Sequence, residues 1–153
     1  MTDLHAVLRA PHAVASVPSS GRSEDMIRQA ILPLVARLLM SSLFIWDGIN
    51  MFSNPAGTAQ YFASVHVPFP DIAVWGAAPL HLLGGLALLA GFYTRCAAGL
   101  LALLCLGTAF GVHLPAGDQD NMIHFYKNLV MTGGLLYVIA FGPGRLSLDR
   151  RRA

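Results

Sequence analysis

The stretch IAVWGAAPLHLLGGLALLAGFY, residues 72–93, contains 22 residues and no Asp, Glu, Lys or Arg. As a helix it would be about 33 Å long, which matches the roughly 30 Å hydrocarbon thickness of a bilayer. His81 lies near its middle, and four small residues fall within about 60° of it on a helical projection: Ala77, Ala78, Gly84 and Gly85. Small residues around one polar group allow membrane helices to approach closely. The stretch therefore predicts a membrane-spanning helix whose narrow face points into a bundle.

The whole chain has the composition of a membrane protein with several spans. Its 153 residues are 55% apolar and 12% charged, and the mean hydropathy is +0.57. A soluble protein of this length needs a larger share of polar surface. The net charge is only +2 and no basic patch is interleaved with aromatic residues, so no nucleic acid is predicted as a partner. Cys96 and Cys105 would face opposite sides of one helix, so we predict two small buried side chains rather than a disulfide.

The apolar runs predict an all-α fold, an integral membrane four-helix bundle formed by one domain. The four helices are predicted at about residues 27–52, 72–93, 96–114 and 122–141. Residues 1–26 are polar, and we predict a disordered tail without a cleavable signal peptide. Residues 54–71 are predicted to form a loop at the headgroup region, because they carry aromatic residues and no Lys or Arg. The last helix ends at Gly142-Pro143, before a basic tail at residues 145–153.

The basic residues predict the orientation in the membrane. With four spans, eight arginines fall on one side: Arg9, Arg22, Arg28, Arg95, Arg145, Arg150, Arg151 and Arg152. The opposite side holds only Lys127, at the start of the last helix. Because basic residues are enriched on the cytoplasmic side of membrane proteins, we predict that both termini are cytoplasmic. An arrangement with three spans would scatter these charges over both sides.

Arg37 and His81 are ionisable residues inside predicted spans. Counted from the predicted helix ends, Arg37 lies about 15 Å deep from one side and His81 about 14 Å deep from the other. An ionisable side chain at such a depth costs about 2.5–3.5 kcal/mol on insertion scales, so it is usually paired or functional. The shared depth predicts a midplane polar site for a quinone headgroup or an anionic intermediate. The alternative is a structural hydrogen bond between a buried Arg and a neutral His.

A second set of polar residues is predicted near the outer ends of the helices: Asp47, His113, His124, Lys127 and Asn128. One interpretation is a polar site open to the exoplasmic face, with a charge pair between Lys127 and Asp47 and with histidines that exchange protons near physiological pH. The other is that these side chains join helix ends and reach interfacial water. A metal site would have to use His113, Asp118, Asp120 and His124. Their spacing matches no standard zinc pattern, so no metal is predicted.

Several short stretches then follow one another in a specific order and spacing. They are Arg37-Leu-Leu with Phe44 and Gly48, Val67-Pro-Phe-Pro, Leu82-Leu-Gly-Gly-Leu, Gly91-Phe-Tyr-Thr-Arg95, Phe125-Tyr-Lys-Asn-Leu, Gly133-Gly-Leu-Leu and Gly142-Pro-Gly-Arg-Leu-Ser-Leu-Asp149. Together they resemble the DoxX family of small four-helix membrane proteins, over about residues 37–149. Family members usually carry a Glu just before the Leu-Gly-Gly stretch, and His81 stands at that place here. A role that depends on this Glu therefore does not carry over unchanged, although a titratable group remains.

The resemblance implies a multi-pass protein of the bacterial inner membrane. Some members of the family are linked to quinone-coupled sulfur oxidation, as a subunit of a thiosulfate:quinone oxidoreductase, or to membrane complexes involved in redox stress. We therefore expect a redox-associated, quinone-linked membrane subunit of unknown substrate. The alternative is a non-enzymatic scaffold of a larger complex or a homo-oligomer, because the sequence contains no phosphate loop, Cys-x-x-Cys or serine elbow. The expected partners are the lipid bilayer and membrane or redox proteins.

Overall fold

Five long or medium α-helices and a short 3₁₀-helix at Asp149–Arg151 form the described part of the chain. The structure, a computed structural model, describes residues 19–151, except for the side chains of Ser19, Ser20 and Arg22. Helix α1 covers residues 19–53, and the others are α2 (Pro55–Ser64), α3 (Pro70–Ala90), α4 (Thr94–Ala116) and α5 (Gln119–Phe141). One π-helical turn interrupts each of α1 and α4, at Ile27–Ile31 and Ala109–His113 respectively. Residues 19–151 contain no strand, so the predicted all-α class is confirmed.

Three helices in this part of the chain are long and apolar enough to cross a membrane, by length and composition. They are Ser23–Ser53 within α1, Pro70–Ala90 and Thr94–Ala116. They correspond to the first three predicted spans. The residues of the fourth predicted span form helix α5, which packs along α4.

Two segments that were predicted to be irregular are helical. Helix α1 begins at Ser19, so the last eight residues of the predicted tail continue the first helix, while residues 1–18 lie outside the described part. The predicted loop at residues 54–71 contains α2. This helix forms because Asn54 caps it, with its Oδ1 accepting a hydrogen bond of 3.0 Å from the backbone N–H of Gly57. Pro55, at the first helical position, also favours a helix start.

The small-residue face of α3 packs closely against α1. A Cβ on Gly85 would lie 2.9 Å from Ile45 Cγ1, and a Cβ on Gly48 would lie 2.7 Å from the backbone nitrogen of Leu82. Neither position has room for a side chain, so both glycines are required by the close approach of the two helices. The predicted packing of the narrow face around His81 against a neighbouring helix is therefore confirmed.

The core lies between the four long helices, and its buried apolar residues are Phe44, Leu88, Ala98, Leu101, Ala102, Cys105, Leu135 and Val138. Large apolar side chains also cover the outside, for example Leu39, Ile72, Leu103 and Val130, each at least 69% exposed. Helices that are apolar on all sides suit a lipid environment. Cys105 is buried as predicted, but Cys96 is exposed because it lies at the helix start, and both thiols are free.

The chain after α5 folds back over the neighbouring ends of α1 and α3. The backbone N–H of Arg145 donates to the carbonyl oxygen of Gln29 at 2.8 Å, and that of Asp149 donates to Gly91 at 2.8 Å. The predicted basic tail is therefore packed as far as residue 151. We call this the basic end of the protein, because it exposes Arg28, Arg95, Arg145, Arg150 and Arg151. The opposite end, which contains α2, is called the α2 end.

Candidate functional site

A cavity of about 860 Å³ opens between the helices at the α2 end. All five helices contribute to its wall, which includes apolar side chains such as Phe44, Leu80 and Val112. Six of the sequence-predicted site residues also line it: Asp47, His81, His113, His124, Lys127 and Asn128. Apolar walls with a few convergent polar groups, in a volume of about 300–1,000 Å³, are typical of small-molecule sites. We call this space the α2 cavity.

Helical periodicity explains why one face of α5 is polar at the cavity. His124, Lys127 and Asn128 follow the spacing i, i+3 and i+4, so their side chains lie on the same face. All three are half-buried and line the α2 cavity. Exposed apolar residues such as Ile123 and Val130 lie on other faces of the same helix.

His81 is half-buried on α3, and its tautomer is defined by a backbone contact. Its Nδ1 lies 2.9 Å from the carbonyl oxygen of Ala77, one helical turn earlier. Because a carbonyl can only accept, Nδ1 carries the proton and donates it. When the ring is neutral, Nε2 is therefore an acceptor for a molecule in the cavity. The ring of Phe44 lies 6.0 Å away, centroid to centroid, and supports the imidazole from α1.

The orientation of His113, in the π turn of α4, follows from two consecutive hydrogen bonds that link it through Asn121 to Asp118. Asp118 Oδ2 accepts a hydrogen bond of 2.6 Å from Asn121 Nδ2, which defines the direction of this amide. The amide oxygen of Asn121 lies 2.8 Å from His113 Nδ1, which must donate. His113 also stacks on His124, with 5.2 Å between ring centroids and 24° between planes. The two imidazoles therefore form one ordered pair at the cavity wall.

The carboxylate of Asp118 forms the N-cap of α5. Its Oδ1 accepts from the backbone N–H of Asn121 at 3.0 Å, and its hydrogen bonds from Asn121 hold the pKa of Asp118 below the usual value for a carboxyl. In the described ranges, no group of three or more His, Cys, Asp or Glu side chains could hold a metal ion. The alternative metal set with His113, Asp120 and His124 is therefore not assembled, because the Asp118 carboxylate is used to cap a helix.

Asn128, one helical turn after His124, joins α5 to α4 by a side-chain hydrogen bond. Its Nδ2 donates to Thr108 Oγ1 at 3.1 Å, and the Thr108 hydroxyl donates in turn to the carbonyl oxygen of Leu104 at 3.0 Å. The side chain of Asn128 is thus held in one orientation at the cavity wall.

Asp47 and Lys127 face the same cavity from α1 and α5, and both are half-buried. The predicted charge pair between them is not formed, since no ion pair joins the two side chains in the part of the chain that the structure describes. The reason is that the cavity lies between their helices. A carboxylate and an ammonium group are therefore both available to a bound molecule.

Arg37 lies away from this cavity, at the basic end, and only 1% of it is exposed. Its Nη1 donates to the carbonyl oxygens of Leu88 at 3.3 Å and Leu89 at 3.0 Å, and its Nη2 donates to Leu146. The guanidinium thus caps the last turn of α3, where Leu89 accepts from it and Leu88 accepts both from it and from the backbone N–H of Gly91.

The expected midplane pairing of Arg37 with His81 is corrected by these contacts. The two residues share no hydrogen-bond partner among residues 19–151, and Leu88 lies about 10 Å along α3 from His81. Counting depth from predicted helix ends failed because α1 extends past the end of α3, so that Arg37, well inside α1, lies level with Leu88 and Leu89 in the last turn of α3. The folded-back chain also supplies an acceptor that the count could not include.

The contribution of α2 to the cavity was not predicted from the sequence. Thr58, Tyr61 and Phe62 of this helix line the wall. Burial and the nearby charge of Asp118 raise the pKa of Tyr61, so its hydroxyl stays neutral and can donate a hydrogen bond. The pair Asn54-Pro55 carried the signal, because Asn at the N-cap followed by Pro predicts a helix start.

Comparison with known proteins identifies the family. The DoxX family profile matches residues 32–114, which is more than half of the chain. The chain belongs to the DoxX family. The match covers α2, α3 and most of α1 and α4, so the DoxX region supplies every wall of the α2 cavity except α5.

Relatives of this DoxX protein are found in two bacteria. In Escherichia coli (strain K12) it is similar to inner membrane protein YqjF, with 41% identity over 120 residues, or 76% of this chain and 88% of YqjF. It is also similar there to inner membrane protein YphA, with 37% identity over 126 residues, or 79% and 90% of the two chains. A Bacillus subtilis (strain 168) protein named "Putative oxidoreductase CatD" is 28% identical over 116 residues, or 76% and 83%. No solved structure matches the chain.

These relatives and the apolar helices agree on where the protein resides. It is a multi-pass protein of the bacterial inner membrane, as predicted, and it is embedded in the lipid bilayer.

Proposed function

We propose that this DoxX protein is the membrane subunit of a quinone-linked oxidoreductase and binds the quinone headgroup in the α2 cavity. The observation that carries the proposal is the convergence of His81, His124, Lys127 and Asp47 on one apolar-walled space. The word oxidoreductase in the name of a Bacillus subtilis relative agrees with it. The chain would bind and protonate the quinone, while a partner redox protein would supply the electrons.

The proposal includes four spans, with the basic end in the cytoplasm. Helix α5 supports the fourth span because it has 23 residues and exposes apolar side chains to the outside, among them Val130, Leu136 and Phe141. The exposed arginines of the basic end support its cytoplasmic location, since Lys127 alone among described Lys and Arg residues lies at the α2 end. Arg9, Arg152 and the side chain of Arg22 lie outside the described residues. The α2 cavity would then open on the exoplasmic side.

The residues in the cavity match the chemistry of quinone reduction. Reduction of a quinone to a quinol takes up two electrons and two protons. A protonated His81 or His124 can donate a hydrogen bond and then a proton to the quinone, and a neutral His81 can accept a hydrogen bond from the quinol through Nε2. Lys127 can donate a hydrogen bond to a quinone carbonyl oxygen, and Phe44 and Leu80 provide apolar surface for the ring.

Binding of a short-chain quinone to the purified full-length protein tests this function. His81→Gln and His124→Gln are each expected to weaken binding about tenfold, since losing one ligand hydrogen bond of about 1.4 kcal/mol changes the Kd by that factor. His66→Gln is the matched control, because His66 is exposed and does not line the cavity. Equal affinity in all four proteins, or a wild-type protein that retains no quinone, would count against the proposal.

A second candidate function, a scaffold that docks a partner helix or a second copy, has one supporting observation. Gly107 and Gly111 are exposed one turn apart on α4, and a Cβ at either would meet no atom within 4 Å. Pairs of small residues four apart allow membrane helices to pack closely. Gly107→Leu should abolish complexes seen after mild-detergent extraction, whereas Gly133→Leu, on the open side of α5, should leave them intact. Complexes that survive both substitutions would argue against this surface.

A further inference from the structure

A second cavity, of about 710 Å³, lies at the basic end of the protein. Parts of the chain that are distant in sequence form it: residues 28–33 of α1, the first turn of α4 and the segment after α5. Its wall contains four arginines: Arg28, Arg95, Arg145 and Arg150. We call this space the basic pocket.

The arginines of the basic pocket outnumber its acids. Asp149 is the acidic residue in the wall, and its carboxylate accepts three hydrogen bonds at the start of α4. Two come from the backbone N–H groups of Tyr93 and Thr94, at 2.7 and 2.8 Å, and the third comes from the Thr94 hydroxyl at 2.6 Å. Because the pocket contains four arginines and one carboxylate, and that carboxylate already caps a helix, an excess of positive charge is left to attract an anion.

The geometry near Arg95 suits a phosphate group. Its guanidinium lies beside Gly142, where an added Cβ would be in ordinary van der Waals contact with Arg95 Nη2 at 3.7 Å. Guanidinium groups bind phosphate oxygens through two parallel hydrogen bonds. The first turn of α4, which includes Cys96, also lines the pocket, but the N–H groups at its start already bind the Asp149 carboxylate, so the arginines are the groups left for an anion.

The rim of the basic pocket is apolar and exposed at the ends of the helices. Phe141 and Tyr93 line the pocket and are 76% and 62% exposed, and Pro33 and Pro143 extend the apolar surface. Exposed aromatic side chains at the end of membrane-spanning helices typically lie at the headgroup level. A free phosphate would use only the arginines, whereas a phospholipid would also cover the aromatic rim.

We infer that the basic pocket binds the phosphate of an anionic phospholipid, with the acyl chains running along the side of Phe141. Basic pockets between membrane helices on the cytoplasmic side are known to bind such headgroups. The inference is independent of the α2 cavity, which lies at the other end of the protein. It stands whether or not a quinone binds there.

The experiment is a titration of the purified full-length protein with phosphatidylglycerol and, separately, with phosphatidylcholine, read by native mass spectrometry. Phosphatidylglycerol is expected to bind at least tenfold more tightly than phosphatidylcholine. The double variant Arg95→Gln/Arg145→Gln should lose at least tenfold of this affinity. Arg151→Gln is the matched control, because Arg151 is exposed at the same end but does not line the pocket, and it should change affinity less than twofold.

Three outcomes would overturn the inference. Equal binding of both lipids would remove the anionic preference, and an equal loss in Arg151→Gln would indicate diffuse surface charge instead of a pocket. Displacement of the lipid by inorganic phosphate alone, at comparable concentration, would identify a free-phosphate site. If the double variant does not elute as a folded protein, Arg95→Gln and Arg145→Gln are measured singly, and each is expected to lose at least threefold.

Discussion

The carboxylate of Asp149 caps the first turn of α4, 55 residues away from Thr94 in sequence. Thr94 is fully buried, and both its backbone N–H and its hydroxyl donate to Asp149 Oδ2. The first N–H groups of a helix have no partner within it, so a buried helix start needs an acceptor from elsewhere. Asp149 provides this acceptor and at the same time fastens the chain after α5 to the turn between α3 and α4.

Asp149→Ala should therefore destabilise the protein by about 1–2 kcal/mol, which is the usual cost of removing a helix N-cap. Thermal unfolding in detergent, followed by circular dichroism, would measure the change. Asp25→Ala is the control, because Asp25 is exposed on α1. Equal unfolding temperatures for the two variants would show that the cap does not stabilise the fold.

Arg37→Met should destabilise the protein by about 2–4 kcal/mol without changing quinone affinity. Its substitution leaves the carbonyl oxygens of Leu88, Leu89 and Leu146 without this donor in a buried environment. Unfolding temperature and quinone Kd are measured on the same preparations, with Arg151→Met as the exposed control. A loss of quinone binding at unchanged stability would contradict this and show that Arg37 contributes to the quinone site.

Gly48→Ala should destabilise the protein by about 1–3 kcal/mol, because its Cβ would overlap the backbone of Leu82 and force α1 and α3 apart. Gly133→Ala is the matched control on a helix face with nothing within 4 Å, and it should be neutral or raise stability by up to about 1 kcal/mol. Unfolding of both variants in detergent tests the difference. A Gly48→Ala protein as stable as the control would refute close packing of the two helices.

Stability at acidic pH should depend on Asp118. Its pKa is lower in the folded protein than in the unfolded chain, so the ionised carboxylate stabilises the fold above its unfolded pKa of about 3.9. This contribution is lost as the pH falls through the folded pKa. Asp118→Asn should therefore unfold with a shallower dependence on pH below about 4 than the wild type. Parallel acid-unfolding curves for wild type and Asp118→Asn would contradict this role.

Much of the candidate site was predictable because helical spacing is a local property. His124, Lys127 and Asn128 share a face of α5 whatever the neighbouring helices do, and the α2 cavity includes all three. The contribution of Tyr61 was missed because an aromatic segment without Lys or Arg was interpreted as a headgroup loop. The capping contact of Asn54 shows that the start of α2 was nevertheless encoded locally.

The sequence by itself determined a helical membrane protein, because the length of each apolar run and its lack of charge set the free energy of transfer into lipid. Only the tertiary structure decided which polar groups meet. The acceptors of Arg37 lie 51, 52 and 109 residues away in the chain, and the donors to Asp149 lie 55 and 56 residues away. Contacts over such separations depend on how helices cross and how the chain folds back. Neither can be derived from the periodicity of a single segment.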